Sequence, residues 1–211
     1  MNARSENLEL TGAAGRIAAV RDRPPAGTEE KGVAFIAHPH PLFGGTMDNK
    51  VVATIARAFV ACGWTAVRFN FRGVGGSEGA HDEGRGETED MIAVVEQLAP
   101  AGAIGIAGFS FGAFVASRVL ESLWASRDVR HLVLVGTATS RFSVGSLPAE
   151  VHERTLVLHG ELDETVPLAS VMDWARPQSL PVTVIPGVEH FFHGQLPLLK
   201  RVVARHLSAG S

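Results

Sequence analysis

The chain lacks what several kinds of chemistry require. Its 211 residues include one cysteine, Cys62, which excludes an intrachain disulfide and cannot by itself build a structural zinc site. Cys62 lies in Phe59-Val60-Ala61-Cys62-Gly63-Trp64, an apolar helix end, and reads as a packed, unreactive thiol. No segment reaches the roughly 18 to 20 apolar residues of a membrane span. Met1 to Glu9 alternates polar and charged residues without the apolar core of a signal peptide, so the expected compartment is the cytoplasm. A formal net charge of -3 with scattered basic residues gives no electrostatic reason to expect nucleic acid or an anionic membrane as the main partner. The run Gly73-Val74-Gly75-Gly76 lacks the Gly-Lys-Ser/Thr ending of a phosphate-binding loop. His38 and His40 have no third ligand at diagnostic spacing, so no metal is expected either. No internal repeat emerges.

What is present is a core. Hydrophobic residues make up 45% of the chain against 19% charged, enough for a folded protein. The length suits one domain over residues 1–211, with a sheet covered on both faces. Leu8 to Thr11 and Arg16 to Val20 read as an edge hairpin. After the Pro/Gly/Glu-rich stretch from Arg23 to Gly32, apolar strands alternate with helices. The strands are Val33 to Ala37, Thr65 to Asn70, Ile104 to Gly108, His131 to Val135, Thr155 to His159 and Val182 to Ile185. The helices are Asp48 to Cys62, Glu87 to Leu98, one beginning near Ser110, Ala169 to Ala175 and Gln195 to Leu207. Continuous apolar strands separated by helices imply a mostly parallel sheet, whose ligand site lies beyond the carboxyl ends of its strands.

At those ends the strongest local pattern is Gly108-Phe109-Ser110-Phe111-Gly112, which follows an apolar strand and opens an Ala/Val/Leu helix. Glycines two residues to either side leave room for a sharp turn that projects the Ser110 hydroxyl, and a helix amino end adds free N–H groups beneath it. The pattern is also compatible with a helix-capping serine between packing glycines. A hydroxyl is a weak nucleophile without a base, and the base needs an orienting group. Asp163 follows the strand Thr155 to His159, with Glu161 and Glu164 as like-charged neighbours. His190 follows the last strand, with His193 as its competitor. The order Ser110, Asp163, His190 at successive strand ends suits a hydrolase triad.

Taken together, His38-Pro39-His40-Pro41-Leu42-Phe43-Gly44-Gly45-Thr46-Met47-Asp48-Asn49-Lys50, Arg68 to Gly75, Gly108 to Gly112 and His190-Phe191-Phe192-His193 resemble the α/β-hydrolase superfamily. Within it they resemble small lidless members similar to dienelactone hydrolases and short-chain esterases. The resemblance runs from Gly32 to Leu207. It implies an α/β-hydrolase fold, Ser110 as nucleophile, Asp163 as orienting acid, His190 as base, and no cofactor. It also implies an oxyanion hole from the Phe111 N–H and one from the loop after His38, where His40 and Leu42 are both open because Pro39 and Pro41 have no N–H. Lids in this superfamily are commonly inserted after the strand that here ends at Val135, and Gly136 to Arg154 is too short for a cap domain. The pocket is then open, walled by Phe43, Phe142, Phe191 and Leu196.

The activity so implied is hydrolysis of a small ester through an acyl-enzyme. A thioesterase, an amidase or peptidase, and a non-catalytic binding or signalling protein on the same fold are the alternatives. Arg68 and Arg72 read as structural ion-pair formers, with Asp90 or Glu87 as partners. Ser77 is the weaker alternative nucleophile, and exposed core-like segments are compatible with a homodimer.

Overall fold

The computed structural model describes residues 4–209; Met1 to Ala3, part of the stretch read for a signal core, lie outside them. One eight-stranded sheet runs through the molecule. Its strands in chain order are β1 (Arg4–Gly12), β2 (Gly15–Arg23), β3 (Val33–Ala37), β4 (Thr65–Phe69), β5 (Ala103–Phe109), β6 (Asp128–Val135), β7 (Thr155–Gly160) and β8 (Val182–Ile185). In space they lie in the order β1-β2-β4-β3-β5-β6-β7-β8. The β1–β2 hairpin closes at Gly12 opposite Gly15, and β2 joins β4 antiparallel. Every pairing from β4 to β8 is parallel.

Five helices cover the sheet: α1 (Lys50–Ala61), α2 (Arg85–Leu98), α3 (Phe111–Leu123), α4 (Leu168–Ala175) and α5 (Leu196–Ala209). Helices α1 and α5 close one face through Val52, Ile55, Phe59, Leu199, Val203 and Leu207 over Ile36, Phe109 and Leu158. On the other face α2, α3 and α4 bring Met91, Val94, Val119, Leu120 and Val171 over Phe35, Ile106 and Leu134. Strands β3 and β5 are buried on both sides, which is why they read as unbroken apolar runs rather than alternating ones. Their larger side chains, Phe35, Ile36, Ile104, Ile106 and Phe109, each contribute roughly 1.5 to 3 kcal/mol by leaving water. Residues 136–154 form turns and a short 3-10 segment, Ala149–Arg154, with no separate cap domain.

The sequence expectations differ from the structure mainly at element ends. Helix α1 begins at Lys50 because Asn49 caps it, its Oδ1 accepting from Val51 N at 2.9 Å and Val52 N at 3.4 Å. Helix α2 begins two residues before Glu87, because that buried carboxylate reaches back to accept from Gly84 N at 2.8 Å and Asp82 N at 2.9 Å. Arg72 pairs with Asp90 through two hydrogen bonds of 2.8 and 2.7 Å. Arg68 meets neither expected acid. It binds Asp22 at 3.2 Å and Asp48 at 3.2 Å, because its strand lies beside the hairpin. Ser77 has its hydroxyl tied between Asn70 O and Ala18 N, a structural brace rather than a poised nucleophile. Among the described residues no helix is long and apolar enough to cross a membrane, and no group of three His, Cys, Asp or Glu is placed to hold a metal ion.

Two buried histidines make the fold acid-sensitive. Burial pushes the imidazoles of His38 and His131 down from 6.5 to about 4. Above pH 6.5 both rings are neutral folded or unfolded, and they cost nothing. As pH falls from 6.5 toward 4 the unfolded chain takes up protons that the native state refuses, so native stability falls, by up to about 3 kcal/mol per histidine. Urea unfolding between pH 7 and 4 is expected to show a midpoint dropping through that window. His131, whose ring lies 5.4 Å from that of Trp64 and 5.6 Å from that of His206, accounts for part of the drop. His131→Phe is expected to flatten the profile; an unchanged profile overturns the assignment.

Candidate active site

The nucleophile turn is built with no residue to spare. Strand β5 ends at Phe109 and helix α3 begins at Phe111, so Ser110 alone makes the reversal, at φ 57 and ψ -117. A positive φ in a residue with a Cβ is strained. It persists because Ser110 N donates to Val135 O at 2.8 Å on the neighbouring strand and because the flanking glycines allow close approach. A Cβ on Gly108 would sit 2.1 Å from Gly112 O, and one on Gly112 would sit 2.4 Å from Ala37 O. Both glycines in the pattern are therefore required by backbone crossing.

Three side chains from three strand ends meet at this turn. Ser110 Oγ lies 3.0 Å from His190 Nε2, and His190 Nδ1 lies 2.6 Å from Asp163 Oδ2. The other Asp163 oxygen, Oδ1, accepts from Thr165 N at 3.0 Å and Val166 N at 2.8 Å. The carboxylate is thus pinned by two backbone donors with its free oxygen turned to the imidazole. A carboxylate only accepts, so it holds the proton on Nδ1 and leaves the Nε2 lone pair facing the serine hydroxyl. His190 is 3% exposed, Asp163 5% and Ser110 8%. The ring of Phe109 lies 4.8 Å from that of His190, and Phe191 lies 5.0 Å from it on an edge.

The competitors named from sequence sit elsewhere. His193 pairs with Glu189 at 3.0 Å on the surface, and Glu161 accepts from Gly187 N. Sequence reasoning missed His159. Its buried Nε2 lies 2.9 Å from Val166 O and 3.4 Å from Asp163 Oδ2, behind the acid, and burial keeps its imidazole below the ordinary histidine range. Its place four residues before Asp163, at the end of β7, was the available signal.

The loop after β3 is braced by hydrogen bonds. His38 is fully buried, accepts from Phe71 N through Nε2 at 3.0 Å and has Nδ1 2.6 Å from Pro39 O, which ties the ends of β3 and β4 together. Pro41–Phe43 form one turn of 3-10 helix capped by the His40 side chain. Within it Leu42 N donates to His40 Nδ1 at 3.2 Å, Phe43 N and Gly45 N to His40 O at 3.1 Å, and Gly44 N to Pro41 O at 3.2 Å. Among the described residues no hydrogen bond takes the N–H of His40 or of Phe111.

A model of the alpha/beta hydrolase fold family matches residues 42–153 of the chain, more than half of it. The chain belongs to that family. A lidless α/β serine hydrolase of Xanthomonas campestris is 34% identical, with 98% of this chain and 94% of that one superposed at a TM-score of 0.88. An α/β serine hydrolase homologue of Coxiella burnetii is 38% identical, covering 96% and 97% at a TM-score of 0.84. An uncharacterized protein of Rickettsia prowazekii (strain Madrid E) is 32% identical over 173 residues, 76% of this chain and 71% of its own. The family model spans Ser110 but stops before Asp163 and His190. The structural likenesses extend over nearly the whole chain.

In this α/β hydrolase, a pocket of about 310 Å³ opens over Ser110 and His190, with Phe43, Phe142, Phe191, His40 and Phe111 among its lining residues. Leu42 and Leu196 do not line it. Leu42 points outward, 71% exposed, and Leu196 borders a separate depression beside Lys50 and His193, because α5 starts beyond the pocket mouth. A larger hollow of about 630 Å³ lies among the hairpin, α1 and α5, floored by the Arg68–Asp22 pair and remote from the triad. Size does not select the site; the converging nucleophile and base do.

Proposed function

We propose that this α/β hydrolase cleaves small carboxylic esters by acyl transfer to Ser110. The observation that carries the reading is the unbroken relay of Ser110 Oγ, His190 and Asp163 at 3.0 and 2.6 Å. In the first half-reaction His190 Nε2 takes the Ser110 proton as Oγ bonds to the ester carbonyl carbon. The tetrahedral oxyanion then expels the alcohol, which receives the proton from His190. In the second half-reaction water gives a proton to His190 and its oxygen to the acyl carbon, and Ser110 leaves as the hydroxyl.

The oxyanion holes weighed from sequence narrow on one ground. The Leu42 N–H is engaged by the His40 side chain, whereas the backbone N–H groups of Phe111 and His40 have no partner among the described residues. We take those two as the donors. Burial, with His81 beside it, holds the His40 imidazole below the ordinary histidine range and hence neutral at pH 7, so its ring serves the turn while its N–H serves the oxyanion. The single continuous sheet supports treating residues 1–211 as one catalytic domain.

Esters are preferred over amides because an open pocket with no cap gives a poor leaving group little help; acyl thioesters, whose thiolate leaves readily, are the competing substrate class. The test is a panel of 4-nitrophenyl esters, acyl thioesters and aminoacyl amides, run beside labelling by a fluorophosphonate probe. Labelling at Ser110 with ester turnover dominant is the expected result. Thioester turnover alone overturns the ester preference, and an unlabelled Ser110 overturns the hydrolase reading.

A further inference from the structure

The triad's pocket carries a charge that ester cleavage does not use. Four phenylalanines, Phe43, Phe111, Phe142 and Phe191, supply rings to its lining, and Arg141 supplies its one permanent charge; no aspartate or glutamate lines it. Arg141 sits on the turns after β6, where its N–H donates to Ala138 O at 3.2 Å. Its guanidinium carbon stands 5.8 Å from the centre of the Phe43 ring. Arg68, Arg72, Arg85, Arg130 and Arg176 are each paired with a carboxylate. Arg141 has no ion pair among the described residues, and its charge helps to hold the His40 imidazole low.

We propose that Arg141 is a specificity-determining residue that receives a carboxylate of the substrate, so that the site takes small esters in which a ring carries a negative charge away from the scissile carbonyl. The inference rests on the hydrolase reading given above and names its substrate class. The physical case has three parts. Aromatic walls favour a flat apolar group by burial and by ring-to-ring contact. The Phe43 ring steadies the guanidinium against its face and leaves the N–H edge for an anion, the fork geometry that suits a carboxylate. With no acid on the lining, nothing repels that carboxylate, and a cationic substrate finds no partner. Arg141 is exposed, so the attraction is modest and screened by salt.

The alternative is that Arg141 merely stacks on Phe43 at the surface, and the experiment separates the two. Turnover of 4-acetoxybenzoate is compared with that of 4-acetoxybenzamide, a neutral probe of nearly the same shape, in the wild type, Arg141→Ala and Arg141→Lys. In the wild type the carboxylate probe is expected to have the lower KM. Arg141→Ala is expected to raise that KM roughly fivefold to twentyfold while leaving the amide probe within twofold, Arg141→Lys to restore part of the difference, and 0.5 M salt to shrink it. Equal ratios of the two probes in wild type and Arg141→Ala overturn the proposal. Calorimetric titration with benzoate needs no turnover and keeps the two readings apart. Ser110→Ala retaining benzoate affinity that Arg141→Ala loses supports the anion site even if the probes are poor esters. Equal affinity in wild type and Arg141→Ala removes the site while leaving the hydrolase intact.

Discussion

Ser110→Ala is expected to lower turnover of a 4-nitrophenyl ester by roughly 10⁴- to 10⁶-fold and to abolish fluorophosphonate labelling. The loss is this large because the reaction has no second route to an acyl-enzyme. Ser77, the other glycine-flanked serine, has its hydroxyl committed to Asn70 O. The remaining oxyanion donors and pocket would leave only a residual acceleration over water. The fold should survive, since the hydroxyl is a small part of the turn and the Ser110 N–H to Val135 O bond does not involve it. A companion variant makes the strain visible. At φ 57 a glycine relieves what any Cβ suffers, so Ser110→Gly is expected to be equally inactive yet about 1 kcal/mol more stable, raising the melting temperature by about 2–4 °C. Circular dichroism melts beside the kinetics check both halves. A Ser110→Ala protein that keeps more than a hundredth of wild-type turnover moves the nucleophile elsewhere.

The second large effect is at the acid. Asp163→Asn keeps the size of the side chain but changes which atom meets His190. The backbone N–H groups of Thr165 and Val166 both donate to Oδ1, so the amide oxygen of asparagine takes that position and its NH₂ takes the place of Oδ2. A donor then faces Nδ1, which must become the acceptor, and the imidazole proton moves to Nε2, opposite the Ser110 hydroxyl. Ser110 is left without a base although every heavy atom is in place. Turnover is expected to fall about 10³- to 10⁴-fold at pH 7, with KM little changed because Asp163 does not line the pocket. Steady-state kinetics from pH 6 to 10, with a crystal structure of the variant to confirm unmoved heavy atoms, test it. Activity within tenfold of wild type sinks the tautomer argument.

Much of this site can be read locally. Ser110, Asp163 and His190 each follow an apolar strand by a few residues. In a parallel sheet every such strand delivers its carboxyl end to the same edge, so chain order alone brings the right residue types together. The open pocket was equally legible, because a cap domain needs chain length that 136–154 lacks. Leu196 was misplaced for the opposite reason: the start of α5 shows in the sequence, but not the direction in which α5 leaves the sheet.

Sequence by itself determined the fold class, the three converging side chains and the lidless character, since each depends on periodicity, local turn chemistry or length. Only the tertiary structure shows that the His40 side chain takes the Leu42 N–H, the ground on which we propose His40 over Leu42, because that is a matter of angles within one turn. The partners of Arg68 and the setting of Arg141 were likewise tertiary. A strand order in which β2 lies against β4 brings Asp22 to Arg68 across 46 residues. The turns after β6 carry Arg141 over Phe43, nearly a hundred residues earlier in the chain. Charge pairing between distant segments has no period and no local signature, so it enters only when the chain has folded.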